Sequence, residues 1–177
     1  TKNNYTEISL ARKLLNFRKR NKDFKGLSFG TISSLGSNGA VIHYQPEKET
    51  DKDLSDNDIY LLDSGGQYKF GTTDVTRTIL NKRDKKPKDF NEISDNYTLV
   101  LKGHIAVAAS HFKKGETGKN LDNKARKFLI KNGLNYDHGT GHGVGSYLGV
   151  HEGPQSISPK SSAPLLEGMI ISNEPGY

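Results

Sequence analysis

Apolar residues at Ile8, Leu10, Leu14, Leu15 and Phe17 fall close to helical spacing in TEISLARKLLNFRKRN and predict an opening amphipathic helix. Thr6 is placed to cap it, and the Arg and Lys crowding its last turn suit the negative end of the helix dipole. The pattern then changes to short β-branched runs, FGTISSLGSNGAVIHYQP and DIYLLDSGG, broken by Gly, Asn and Pro, which predict strands. Between them, EKETDKDLSDND is polar enough for a surface loop. TTDVTRTIL predicts a further strand, and SGGQYKFG makes it the second arm of a hairpin with YLLD. After the basic loop NKRDKKPKDF, helical spacing returns over several turns of NEISDNYTLVLKGHIAVAASHF. Another helix, LDNKARKFLIKNG, ends at Gly133, a suitable C-terminal cap. YDHGTGHGVG, LGVHEGP and EGMIISNEPGY go back to Gly-rich loops and short strands. Strands, helices and strands again predict an α+β fold, an antiparallel curved sheet covered by helices on one face. No repeat or linker divides the sequence, so residues 1–177 read as one domain or part of one.

Composition narrows the class. The 32% hydrophobic share is low, yet runs such as TLVLKGHIAVAA are well formed, which fits a globular chain with a lysine-rich surface. The net charge of +6 comes from lysines scattered or placed in loops, without interleaved aromatics, and reads as solvated surface rather than a nucleic-acid face. Cysteine is absent, which removes disulfides and thiolate metal sites and fits a reducing compartment. No apolar run spans a bilayer, and TKNNYTE is no signal peptide, so no membrane partner is expected. A start without Met suggests a processed or excised piece.

The candidate chemistry is carried by acids and histidines. Asp63 and Asp74 flank a glycine turn within one hairpin, so both can point at one centre. Read one at a time, they are equally a turn cap and a salt bridge to Arg77, with Thr72, Thr73 and Thr76 available to orient Asp74. His138 and His142 share the H-x3-H spacing of helical zinc sites, but glycines at 139, 141, 143 and 145 exclude a stable helix. The two imidazoles therefore need not bind the same ion. His151 follows in the same Gly-rich stretch. Glu174 ends the apolar run MIISN, as Asp63 ends IYLL, and His43 sits at a similar strand end, where a packed core histidine is the alternative. Distant carboxylates plus a histidine are what a hydrolytic site with two hard divalent cations requires.

The blocks NGAVIHYQP, LLDSGGQYKFGTTDVTRT, LKGHIAVAASHF, HGTGHGVGSYLGVHEGP and EGMIISNEPGY closely resemble the catalytic domain of the Xaa-Pro aminopeptidases (aminopeptidase P) of the cytosolic eukaryotic type. The resemblance runs from about TEIS to the last residue and implies the pita-bread fold, with two metal ions, usually manganese. It implies that Asp63 binds one metal, Asp74 bridges both, His142 supplies the imidazole, and Glu174 is both ligand and general base. It places His43, His138 and His151 around the substrate, with His43 and His151 in catalysis. It further implies a cytoplasmic homodimer that removes the first residue of peptides with proline second. A final bridging glutamate is expected beyond Tyr177, and N-terminal domains before the chain, so the piece alone is expected to be inactive. Within the fold the alternatives are a prolidase-type dipeptidase or, from another class, a metal-free pita-bread binding module.

Overall fold

The computed structural model describes residues 5–56, 59–81 and 86–177. The opening TKNN, part of the acidic loop at 57–58 and part of the basic loop at 82–85 lie outside the described residues. The chain forms two compact units, residues 1–88 with 146–150, and residues 89–145 with 151–177.

The first unit begins with α1 (Glu7–Arg18), capped as the sequence predicts. The Ser9 N–H donates to Thr6 Oγ1 at 3.3 Å and the Thr6 N–H to Ser9 Oγ at 2.7 Å, so two amides without helical partners are satisfied reciprocally. The expected apolar face is only half covered, and Phe17 is exposed. The one fully buried side chain of the helix is Glu7. Its carboxylate accepts the Leu35 and Lys52 N–H groups, both contacts of the Asn38 amide, and the Tyr44 hydroxyl at 2.7 Å. A buried carboxylate is tolerated only when so many donors replace its water.

The strands β1 (Phe24–Leu27), β2 (Ile32–Leu35), β3 (Ile59–Ser64), β4 (Gly66–Tyr68), β5 (Gly71–Thr72) and β6 (Val75–Leu80) follow. They pair antiparallel throughout, in two three-stranded sheets ordered β1-β4-β5 and β2-β3-β6. The predicted hairpin is present as β3 against β6, with Asp63 opposite Thr76. The predicted strand at AVIHYQP is not. Residues Gly36–Ala40 wind into a 3-10 turn, and His43 turns the chain with φ of 57°. Val41 and Ile42 carry strand-like β-branched side chains but are exposed, with no sheet face to cover them. His43 is exposed as well, neither at a strand end nor in the core.

The second unit packs α2 (Phe90–Ala108) against α3 (Gly118–Ile130). The two helices touch at Gly103, where a Cβ would run into the Ala125 carbonyl. Leu121, Ala125 and Leu129 recur every fourth residue along the buried stripe of α3. Leu121 and Ala125 join Val107, Ile157 and Leu165 in the core cluster. Each such Leu or Ile contributes about 1.5–3 kcal/mol on burial. Gly133, at φ of 73°, lies just beyond the helix as predicted. β7 (Gly141–Val144) and β8 (His151–Ile157) pair antiparallel. The segment EGMIIS, predicted as a buried strand, is instead extended chain held to β7 by one bridge at Gly143–Ile171, with Ile170 exposed. Among the described residues the strands form three small antiparallel sheets, as an incomplete α+β fragment would.

Candidate metal centre

In the first unit, Asp63 and Asp74 are both half-buried. Asp63 lies opposite Thr76 in the β3–β6 ladder, and Asp74 immediately precedes β6. The turn between them is clamped from several sides. At Gly65 any Cβ would meet the Thr73 carbonyl and the Ser28 hydroxyl. Arg18, from the last turn of α1, donates through Nη2 to Ser64 Oγ at 2.9 Å and through Nη1 to the Tyr68 hydroxyl at 3.2 Å. Thr72 donates to Gln67 Oε1 at 2.7 Å, and Thr73 Oγ1 accepts the Gly66 N–H at 3.0 Å. These two hydroxyls, expected to orient Asp74, organise the turn.

In the second unit, β7 and the 172–174 segment bring two predicted donors together. The Ser172 N–H donates to the His142 carbonyl and the Glu174 N–H to the Thr140 carbonyl, both at 2.8 Å. His142 Nε2 then stands 2.9 Å from Glu174 Oε1. Ser172 Oγ donates to that same carboxylate oxygen at 2.5 Å and accepts the His142 N–H at 2.9 Å. Burial pushes the Glu174 carboxyl upward, but the hydrogen bonds from His142 and Ser172, with the His142 and His138 charges, outweigh it and hold the group below its ordinary value. The His151 ring meets the His142 ring edge-on, centroids 3.9 Å apart. His138 lies beside Gly176, with its Nδ1 against the Gly139 carbonyl. Because 141–144 is a strand, His138 and His142 do not form a helical chelate.

The donor set suits a hard or borderline divalent cation. His142 Nδ1 sits 2.9 Å from the Gly143 carbonyl; with Nδ1 donating there, a neutral ring would offer its Nε2 lone pair to a cation in place of the proton shared with Glu174. Two donors each about 2.0–2.2 Å from one cation, at right angles, lie roughly 3 Å apart, the separation found between His142 and Glu174. The first unit carries Asp63 and Asp74, carboxylates of the type a hard divalent cation takes. Among described residues, no helix is long and apolar enough to cross a membrane.

Sequence reasoning missed Glu7, Arg18, Ser172 and the buried pair Asp122–Arg126. Only the i,i+4 spacing of Asp122 and Arg126 carries a signal, and it also describes an ordinary exposed ion pair.

Comparison with known proteins identifies the family. Residues 1–177 match the profile of metallopeptidase family M24. Aminopeptidase P1 of Lotus japonicus is 53% identical over 173 residues, covering 97% of this chain and 26% of that protein. The chain therefore spans about a quarter of the length of that relative. The crystal structure of X-prolyl aminopeptidase from Caenorhabditis elegans, described as a cytosolic enzyme with a di-nuclear active site, matches with TM-score 0.87 and 44% identity over 97% of this chain and 27% of that one. The prolidase from Pyrococcus horikoshii matches with TM-score 0.80 and 29% identity over 97% of this chain and 46% of that one. The α+β architecture is that of the pita-bread neighbours, as the resemblance implied. With its helices, antiparallel strands and paired acid and imidazole donors, the chain belongs to metallopeptidase family M24.

Proposed function

We propose that the whole protein is a cytoplasmic, homodimeric Xaa-Pro aminopeptidase that hydrolyses the bond before a proline in second position, and that residues 1–177 form part of its pita-bread catalytic domain. The observation that carries this reading is 53% identity to an aminopeptidase P over nearly the whole chain, with the donor residues intact. Asp63, Asp74, His142 and Glu174 would hold two divalent cations, manganese in this reading. Bound there, the cations would supply Lewis acidity and lower the pKa of bound water towards neutrality.

The protein's own groups do the rest. Glu174 accepts a proton and returns it to the leaving proline nitrogen. That nitrogen carries no N–H in the substrate, so the site need offer it no acceptor. His151, packed edge-on against His142, faces the developing oxyanion and stabilises it. His43 and His138 contact the peptide, and His43 also stabilises the reacting amide.

A second reading, prolidase-type cleavage of dipeptides only, is favoured by the prolidase neighbour at 29% identity. Full-length protein loaded with Mn2+ and offered an Xaa-Pro dipeptide, an Xaa-Pro tripeptide and an Xaa-Ala tripeptide separates them. Cleavage of the Xaa-Pro tripeptide with release of its first residue is expected. Cleavage of the dipeptide alone would establish the prolidase reading, and no metal-dependent cleavage of any would overturn both.

A further inference from the structure

From the network beneath β7 we infer that Asp122 and Arg126 are positioning residues for the His142–Glu174 donor pair, an inference that rests on the metal-centre reading above. Asp122 is fully buried and Arg126 nearly so, and Arg126 Nε lies 2.8 Å from Asp122 Oδ2. A buried ion pair is weak evidence for stability, since apolar residues of similar volume often serve as well. What singles this pair out is where its remaining hydrogen bonds go. Arg126 Nη1 donates to Asn135 Oδ1 at 2.9 Å and to the Tyr136 carbonyl, and Nη2 donates to the His138 carbonyl at 2.7 Å. The guanidinium also stacks on the Tyr136 ring, 3.9 Å from its centroid. The other oxygen of Asp122, Oδ1, accepts the Thr140 hydroxyl at 2.6 Å, and that hydroxyl also shares a bond with the Tyr136 hydroxyl.

Every one of these bonds ends in residues 135–140, the approach to His142. Thr140 passes the restraint on in two directions. Its N–H donates to the Ile157 carbonyl of β8, and its carbonyl accepts the Glu174 N–H, each at 2.8 Å. His142 follows two residues later, as the second residue of β7. The intervening Gly139 and Gly141 bring no stiffness of their own, and Gly141 cannot take a side chain because the Ser172 carbonyl fills the place of its Cβ. A flexible stretch that carries one donor and is bonded to a second is thus fixed from α3 by one rigid cation fork and one carboxylate. Lysine could replace the charge of Arg126 but not its simultaneous grip on two carbonyls.

The test uses the full-length protein and Mn2+. Arg126→Lys is expected to retain the fold but weaken Mn2+ binding at least tenfold and lower kcat at least tenfold, with KM changed far less. Amide hydrogen exchange at residues 136–142 should rise while that of α3 stays slow. Leu129→Ala, a cavity in the same helix, is the control for lost stability alone and should leave the Mn2+ affinity of the folded protein unchanged. If Arg126→Lys fails to fold, the double variant Asp122→Leu with Arg126→Met, which leaves no unpaired buried charge, carries the same expectation. Mn2+ affinity equal to wild type in the folded variants, or equal weakening by Leu129→Ala, would overturn the positioning role. Wild-type protein that binds no Mn2+ would instead overturn the metal-centre reading on which it rests.

Discussion

Ser172 holds Glu174 by the same hydroxyl that accepts the His142 N–H, so one small side chain sets the place of both a carboxylate and the strand carrying an imidazole. Ser172→Ala removes both bonds without altering either donor. Outer-shell partners of this kind are commonly worth 10–100-fold in metal affinity. Calorimetric titration of Mn2+ into the full-length variant is expected to show binding weakened by about tenfold or more. Unchanged affinity would mean that backbone pairing alone positions Glu174.

Ligand and substrate histidines should separate by metal content. His142→Ala and Asp74→Asn are expected to lose bound metal and turnover together. His43→Ala and His151→Ala should keep metal while kcat falls by about 10²–10³, the cost of one transition-state hydrogen bond. Metal analysis beside kinetics decides this, and equal metal loss in all four would contradict the division of roles.

Chelation offers a coarser check. Dialysis of the full-length protein against EDTA should abolish cleavage of an Xaa-Pro tripeptide, and returning Mn2+ should restore it. Activity that survives complete metal removal would rule out the proposed chemistry.

Glu7 should matter for stability and little for catalysis. Its removal strands the buried Leu35 amide and the half-buried Lys52 amide, while the Tyr44 hydroxyl keeps Thr50 as a partner. Each stranded group costs about 1–3 kcal/mol, so Glu7→Ala is expected to lower unfolding free energy by roughly 3 kcal/mol or more. Urea denaturation measures it. A loss below 1 kcal/mol would mean that water or local rearrangement replaces the carboxylate.

Alkaline pH should unfold the protein through its buried phenols. Burial, reinforced by the Glu7 charge and opposed by the Ser33 hydrogen bond, pushes Tyr60 above its ordinary value. Burial does the same to Tyr136, against a Thr140 bond and the Arg126 charge, with Asp122 adding to the rise. A group raised on folding contributes stability in full below its unfolded value, about 10 for tyrosine, and loses it as pH climbs from there through the folded value. Denaturation midpoints should therefore fall above about pH 10, and the combined Tyr60→Phe and Tyr136→Phe variant should flatten that fall. An unaltered slope would point to other groups.

What was legible in the sequence follows physical range. The helices were visible because capping by Thr6 and the four-residue recurrence of apolar side chains are local. AVIHYQP misled because Val41 and Ile42 carry strand chemistry, while the backbone reversal at His43 leaves no trace in composition. That His142 and Glu174 would meet was implied by the family resemblance of their blocks, not by local spacing. The supports beneath them were not, because Asp122 and Arg126 look like the solvent side of a helix until the fold turns them inward. Glu7 was hidden for the same reason, as an ordinary acidic first-turn residue.

The helix α1 is fastened at both ends, by Glu7 to the segments at 35–52 and by Arg18 to the turn beside Asp63. Those two residues stand roughly three turns apart and within about 20° of the same side. The helix therefore acts as a gauge whose length and phase are both fixed. One residue inserted or deleted between its ends swings one anchor by about 100° and shifts it by about 1.5 Å, so neither could be re-engaged without giving up the other. Point substitutions on its exposed face leave that gauge intact, whereas a change of length would detune the Asp63 turn from a distance.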